Sequence, residues 1–408
     1  MDAKAEKGKV SNHHIPNDLT LSILSKLSLK SLKRFGCCCK SWGFLFESPH
    51  FMSMYRNNVI SNNHTSCYDE PSVIILHHFP PLPITDEFMF SVFLFSGERH
   101  ENKVKLYWPP LFLETDYIQM LSSDSINGNI LVQRQRMMIF WNPSTNEFKV
   151  IPPSPVESGR SFRDPMIRFH GFGYDHVRDD YKVIRRVHFY ELISSDLDPL
   201  NVSWEDVSWG DVSIPPLWEI YSLKRNSWRK LDVDMPECYH ENTGFHVYTD
   251  GMCHWRGESV GPEECLVSFD LINEAFIITP MPSDIDEIRA FISSTNDEFD
   301  FKMDRHLVLL NGSIALISYY IETTFFHISI LGELGVQKSW TKLFIIGPLP
   351  YVYTPIGVGK KGDIFLRQED NELVWYNLNT NVIEKLGITG MNDCCRTGIY
   401  RENLLLLE

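Results

Sequence analysis

Four stretches decide how this chain reads: FWNPSTNEFKVIP (140–152), IYSLKRNSWRKLD (220–232), SFDLINEAFIITP (268–280) and WYNLNTNVIEKLG (375–387). In each, an aromatic residue is followed seven positions later by a large apolar one. The pairs are Trp141 and Phe148, Tyr221 and Trp228, Phe269 and Phe276, Tyr376 and Ile383. Between the members lies a polar turn: Ser144-Thr145-Asn146, Lys224-Arg225-Asn226, Ile272-Asn273-Glu274 and Asn379-Thr380-Asn381. A strand, a tight turn and a returning strand make a β-hairpin, so each stretch reads as one hairpin. A looser fifth copy runs over 326–343, where Trp340-Thr341-Lys342-Leu343 echoes Trp228-Arg229-Lys230-Leu231.

A second element precedes most hairpins. Asn127-Gly128, Asp250-Gly251, Asn311-Gly312 and Gly362-Asp363 each open an apolar strand. Glycine belongs where a chain reverses at positive φ. Gly171-Phe172-Gly173-Tyr174-Asp175 begins a related piece ahead of the Tyr221 copy. Each unit is therefore at least three strands, with a fourth implied, and four-stranded units at this spacing are the signature of a β-propeller. Five units fall between 121 and 388. Residues 72–112, joined by the tail Gly398–Leu407, supply a sixth and close the ring. Closure leaves few strand edges exposed. The competing reading is a β-sandwich with accidental repeats.

The first 55 residues follow a different grammar. They hold eight Lys/Arg and four Asp/Glu, a balance of +4, so the remainder carries −19 of the total −15. Pro16-Asn17-Asp18 reads as a helix start with Asn and Asp able to cap. Leu19, Ile23, Leu24 and Leu27 then fall on one apolar stripe. Leu29, Leu32 and Phe35 make a second run, and Trp42, Leu45 and Phe46 a third that ends before Pro49. Three such helices bury little by themselves. They read either as a cap on the larger domain or as a docking module whose apolar face a partner completes.

The run IPNDLTLSILSKLSLKSLKRFGCCCKSWGFLFESPHF (15–51) resembles an F-box, through Pro16, Asp18, Leu19, Ile23, Leu24, Leu27, Ser31, Leu32, Arg34, Phe35, Cys39, Lys40, Trp42, Leu45, Pro49 and Phe51. Ser28 stands where the family pattern has a second proline. A serine there can cap the following helix but does not stiffen it. The W-N-P-S-T motif at 141–145, the G-F-G-Y-D…D-D-Y-K-V stretch at 171–183 and the late W-x-K-L pieces resemble the F-box-associated, kelch-like domain of plant F-box proteins, including the S-locus F-box group. Paired Gly-Gly of true kelch units is missing.

These resemblances imply a mainly β chain: a three-helix F-box followed by a kelch-like propeller of about six blades. The expected plan is a tail at 1–12, the F-box at 13–55, a linker at 56–70 and the propeller at 71–408. They also imply a substrate-recognition subunit of an SCF (Skp-cullin-F-box) ubiquitin ligase. Pro16, Asp18, Leu19, Ile23, Leu24, Leu27 and Leu32 would dock a Skp-family adaptor and, through it, a cullin-RING ligase. The propeller would hold a target protein. The alternative is an adaptor-binding scaffold that acts outside a ligase.

Composition narrows the field. A net charge of −15 disfavours an electrostatic nucleic-acid binder. No 18-residue apolar run suggests a membrane span. The nine cysteines include adjacent groups (Cys37-Cys38-Cys39, Cys394-Cys395) and no CxxC, which reads as free thiols in a reducing compartment, cytoplasm or nucleus. Gly257-Glu258-Ser259-Val260-Gly261 fits a nucleophile elbow, but a further strand follows where the elbow needs a helix. His13-His14 and His77-His78 lack the i, i+4 spacing for a shared metal. No cofactor or metal site and no catalytic residue is expected. Residues 187–223 hold seven acids, no Lys or Arg, and Trp204, Trp209 and Trp218, a combination suited to a basic or amphipathic target. Residues 283–304 hold seven acids as well.

Overall fold

A computed structural model describes residues 16–403, apart from 26, 28–31, 33–34, 37, 39, 47, 52–53, 55–71, 80–88, 114–115, 158–165, 189–190, 193–206, 209–215, 234–245, 259–263, 283–302, 311, 322, 360–362 and 391–394. The chain divides into two compact units, Met1–Asp69 and Glu70–Glu408.

The second unit contains six four-stranded antiparallel sheets. Blade 1 is built, from the inside outward, of Arg396–Tyr400, Ser72–Phe79, Met89–Ser96 and Asn102–Leu106. Blade 2 is Ile118–Met120, Ile130–Arg134, Met137–Asn142 and Glu147–Val150. Blade 3 is Met166–Asp175, Asp180–His188, Leu217–Ser222 and Ser227–Lys230. Blade 4 is His246–Thr249, Met252–Glu258, Glu264–Asp270 and Ala275–Pro280. Blade 5 is Met303–Leu310, Ser313–Tyr320, Phe325–Leu331 and Trp340–Ile346. Blade 6 is Val352–Val358, Ile364–Gln368, Glu372–Asn377 and Val382–Thr389. Glu191–Leu192 and Val207–Ser208 form a separate two-stranded ladder within the blade 3 insert. The architecture is a six-bladed propeller, as the repeats imply.

All four sequence pairs are cross-strand partners: Trp141 opposite Phe148, Tyr221 opposite Trp228, Phe269 opposite Phe276 and Tyr376 opposite Ile383. Three of the four turns share one chemistry, while in the Tyr221 copy the Lys224 amide donates to Asp180 Oδ1 at 2.9 Å and the Arg225 amide to Ser222 Oγ at 3.1 Å. Asn142 Oδ1 accepts from the Ser144 amide at 3.0 Å, Asp270 Oδ1 from Ile272 at 2.7 Å and Asn377 Oδ1 from Asn379 at 2.9 Å. The last turn residue is left-handed in each copy: Asn146, Asn226, Glu274 and Asn381 have φ of 58°, 49°, 54° and 57°. Asn and Asp cap such turns because a short side chain reaches its own backbone two residues on. Tyr221 and Tyr376 lock the turn by donating to Asn226 and Asn381 at 2.7 and 2.8 Å.

Apolar side chains from facing blades interlock around the ring. Val73, Ile75, Phe95 and Phe365 join blades 1 and 6, and Val132, Trp141 and Tyr400 join blades 1 and 2. Phe140 meets Phe172 at 5.3 Å between blades 2 and 3. Ile220 and Trp255 join blades 3 and 4, Leu266 and Leu316 blades 4 and 5, and Ile317 and Val374 blades 5 and 6.

The ring closes through blade 1. Arg396–Tyr400 pairs with Ser72–Phe79, with Ser72 opposite Tyr400 and Leu76 opposite Arg396. Gly398 is required here, since a Cβ would lie 1.6 Å from the Ser123 carbonyl oxygen. Blade 2 grips the same strand. The Asp124 carboxylate accepts from the Ile399 amide at 2.7 Å, and Ser125 donates its amide to the Ile399 carbonyl at 2.9 Å. Burial pushes the Asp124 carboxyl up to about 6, against the pull of that amide and of Arg401. A carboxyl raised on folding binds its proton more tightly in the folded state, so its contribution to stability falls as pH climbs from about 4 to about 6. Asp124→Asn keeps an acceptor for Ile399 without a charge to bury. Its stability relative to the parent, from denaturant unfolding, should rise across that interval and stay level above it. A constant difference across the interval would contradict this reading.

Candidate functional site: an exposed helix face and the insert-bearing rim

The first unit contains α1 (Asn17–Leu24) and α2 (Lys40–Phe46). Leu32 and Phe35 are also helical between them. Pro16, with extended backbone, is the N-cap of α1, and no side chain caps it. Thr20 bonds the Pro16 carbonyl through both its amide (3.0 Å) and its hydroxyl (3.2 Å). The expected Asn/Asp cap is thus replaced by proline, whose φ is already set for the start of a helix. Asp18 sits in the first turn, where a carboxylate complements the helix dipole.

The expected adaptor residues separate into two sets. Pro16, Asp18, Leu19 and Ile23 are exposed, with Leu19 and Ile23 at 56% and 55%. Leu24 and Leu32 are buried in a small core with Phe46 and Phe51, and Leu27 packs against it. Leu24 and Leu32 therefore hold the module together and offer no free surface, which corrects the sequence expectation for those two. Phe35, Trp42, Phe46 and Phe51 continue the core as an aromatic chain with ring centroids 5.1–6.3 Å apart. Ser28 lies outside the described residues.

On the propeller, antiparallel strands send connections alternately to two rims. First-to-second and third-to-fourth connections share one rim and are mostly tight turns, such as Asp250-Gly251 and the four-residue turns described above, with 121–129 and 332–339 the longer ones. Second-to-third connections and those between blades share the other. This second rim carries the long connections 80–88, 107–117, 151–165, 189–216, 231–245 and 281–302.

Exposed aromatic residues follow the same division. Among the described propeller residues these are Tyr107, Tyr117, Tyr351 and Tyr353, at 78%, 58%, 69% and 57% exposure. All four lie on, or one or two residues from, the insert-bearing rim. They stand on rigid supports. Beneath Tyr107 and Tyr117, Trp108 donates to the Phe90 carbonyl at 3.0 Å and meets Trp141 at 5.4 Å. Arg134 reaches across to Asp116 at 2.9 Å and to the Leu111 carbonyl at 3.2 Å. Tyr351 has φ 70°, unusual for a bulky residue, and its carbonyl accepts from the Glu369 amide at 2.8 Å. The Arg367 guanidinium lies 4.6 Å from the Tyr353 ring centroid.

Buried ions brace the rim from below. Arg185 bonds Glu157 at 2.6 Å and Glu219 at 2.7 Å, with its guanidinium 3.7 Å over the Trp228 ring. Burial works against the charge on Glu264, but Arg256 and Arg305 outweigh it and hold its carboxyl below the usual range. His188 is pushed down to about 4 by burial and by Arg186 and Arg168, so it is neutral near pH 7.

The remaining sequence candidates fall as follows. Trp204 and Trp209 lie outside the described residues. Trp218 is buried in the second half of blade 3, against Trp255 and Phe276 (both 6.0 Å) and His170 (4.6 Å), so it is core where an exposed contact was expected. Gly257 and Glu258 end a strand that pairs antiparallel with Glu264–Asp270, and Ser259, Val260 and Gly261 of the elbow pattern lie outside the described residues. Among the described residues no group of His, Cys, Asp and Glu could hold a metal, and no helix is long and apolar enough to cross a membrane. Among the described cysteines, Cys38 is exposed and Cys253, Cys265 and Cys395 are buried, and none of the four forms a disulfide.

A family model of the F-box domain matches residues 13–54, and one of the F-box associated beta propeller domain matches residues 85–402. The chain is an F-box protein of the F-box associated β-propeller family. F-box protein CPR1 of Arabidopsis thaliana is 28% identical over 93% of this F-box protein and 85% of its own length. An F-box/kelch-repeat protein of the same plant is 20% identical over 97% and 96%.

The two leucine sets respond differently to truncation. Leu32→Ala should destabilise the F-box by about 2–5 kcal/mol, whereas Leu19→Ala should change it by less than about 0.5 kcal/mol. Hydrogen exchange of peptides spanning Asn17–Leu24 measures both, and equal effects would contradict the division.

Proposed function

We propose that this F-box protein is the target-recognition subunit of an SCF ubiquitin ligase. F-box domains generally bind Skp1-family adaptors. The observation that carries the reading is the exposed Leu19–Ile23 face of α1, flanked by Pro16 and Asp18, in a module whose described core of Leu24, Leu32, Phe46 and Phe51 does not include these two side chains. Two large aliphatic side chains left in water on one helix face form a docking stripe for an apolar groove. The propeller then holds a target protein so that its lysines come within reach of the ligase-bound transferase. That contribution is proximity, and the chain supplies no catalytic residue. The same reading puts the protein in the cytoplasm or nucleus, where its thiols stay reduced.

The test is co-purification of the full chain with a Skp-family adaptor. Leu19→Asp with Ile23→Asp should reduce adaptor capture at least about tenfold, as expected for buried hot-spot residues, with unchanged thermal unfolding. A candidate target's half-life should lengthen in cells carrying that variant. Undiminished capture would overturn the adaptor role. Lost capture with an unchanged half-life would favour a scaffold outside a ligase.

A further inference from the structure

The strand topology assigns every connection of the propeller to one of its two rims, and the charges segregate with it. The connections of the insert-bearing rim carry 27 Asp/Glu against five Lys/Arg, and Lys302 is their one lysine. Those of the tight-turn rim carry eight against seven. Among the described rim acids, Asp232 lies 3.3 Å from the strand residue Lys230, and Glu369 and Asp370 are exposed. Asp116 pairs with Arg134 and Glu157 with Arg185. Other arginines beneath the rim, such as Arg305, are buried against acids of the strands themselves, here Glu264.

Acidity alone would explain solubility and no more. The exposed aromatics supply the second observation. Nothing about solubility requires Tyr107, Tyr117, Tyr351 and Tyr353 to share the acidic rim, and the balanced rim has none among its described residues. The sharpest cluster lies where blades 5 and 6 meet. Tyr351, Tyr353 and Ile321 are exposed there, and the exposed Glu369 and Asp370 follow directly on the strand that carries Arg367. The strand that begins at Val352 is the innermost of blade 6, so this cluster stands at the mouth of the central channel. Arg367 beneath Tyr353 fixes that ring before any partner arrives, which lowers the entropy lost on binding.

We infer that the insert-bearing rim docks a Lys/Arg-rich segment of a partner protein, with Tyr351 and Tyr353 as its apolar anchors. The aromatic faces take the aliphatic stems and cationic heads of such a segment. The surrounding carboxylates steer it in and repel acidic competitors, nucleic acid included. The inference rests on the proposed receptor role and adds to it the charge class of the target.

Fluorescence anisotropy on the full chain tests this with two labelled peptides. One is rich in Lys, Arg and Leu, and the other carries Glu in place of each Lys and Arg. The basic peptide should bind, more weakly as salt rises, and the acidic one should not. Tyr351→Ala with Tyr353→Ala should weaken binding about tenfold without altering charge. Glu369→Gln with Asp370→Asn should weaken it and flatten its salt dependence. Glu98→Gln with Glu333→Gln, on the opposite rim, should leave it unchanged. Equal binding of both peptides, an unaffected tyrosine variant or an equal loss on the opposite rim would each overturn the inference. Adaptor capture by the same preparation is read separately. Its failure would sink the receptor role, and its success alongside failed peptide binding would sink the rim assignment alone.

Discussion

The pairing of Arg396–Tyr400 with Ser72–Phe79 is the constraint on which the propeller depends. Six twisted sheets around an axis close only if the first and last meet. Here the two ends of the domain share one blade, so losing the closing strand would bare the edge of the Ser72 strand. Blade 2 reinforces the joint through Asp124, Ser125 and Asn142, the last donating to the Asn403 carbonyl at 2.9 Å. Contacts between residues far apart in sequence, such as Asn142 with Asn403 and Ser72 with Tyr400, thus hold the ring shut. A rim fixed in this way can carry long connections without losing its shape.

The two rims divide the work. One is made of turns whose conformation is dictated by Asn, Asp and Gly, and its positive-φ positions leave little room for change. The other holds the length, the acidity and the exposed tyrosines. Buried ion groups such as Glu157–Arg185–Glu219 stand between this rim and the core. Losing one member would strand a buried charge, at about 3–5 kcal/mol. The F-box repeats the logic on a smaller scale, with Leu24 and Leu32 inward and Leu19 and Ile23 outward on a short helical module.

Much of this was legible because the hairpin motif ties sequence spacing to cross-strand pairing. An aromatic, a capping polar residue and an apolar partner seven positions on can sit opposite each other only with a four-residue turn between them. The same turn also occurs where the sequence reading saw only a related piece. Tyr174 lies opposite Tyr181, Asp175 Oδ1 accepts from the Val177 amide at 3.1 Å, and Asp179 has φ 54°. The repeat pattern does not single it out because it joins the first and second strands of blade 3, a slot taken by Asp250-Gly251 in blade 4 and by the nine residues 121–129 in blade 2. Its seven-residue spacing was nonetheless present. Trp218 departs from its sequence expectation because its acidic surroundings have the composition of a loop, whereas it sits in a strand. That strand is buried without alternation from Trp218 to Tyr221, with Leu217 at its partly exposed end. Among the F-box leucines, periodicity marked the stripe but not its division. Leu19 and Leu24 differ by five positions, enough rotation to send one outward and the other to the core.

The most direct measurement is native-state hydrogen exchange of the closing strand. If the ring depends on it, the Ile399 and Thr397 amides will exchange only through global unfolding. Their opening free energy will then match that of the innermost strands of blades 4 and 5 and will follow denaturant with the full unfolding slope. Exchange through a local opening several kcal/mol below the global value, with the other blades still protected, would show that the propeller persists without its closure and would contradict the account.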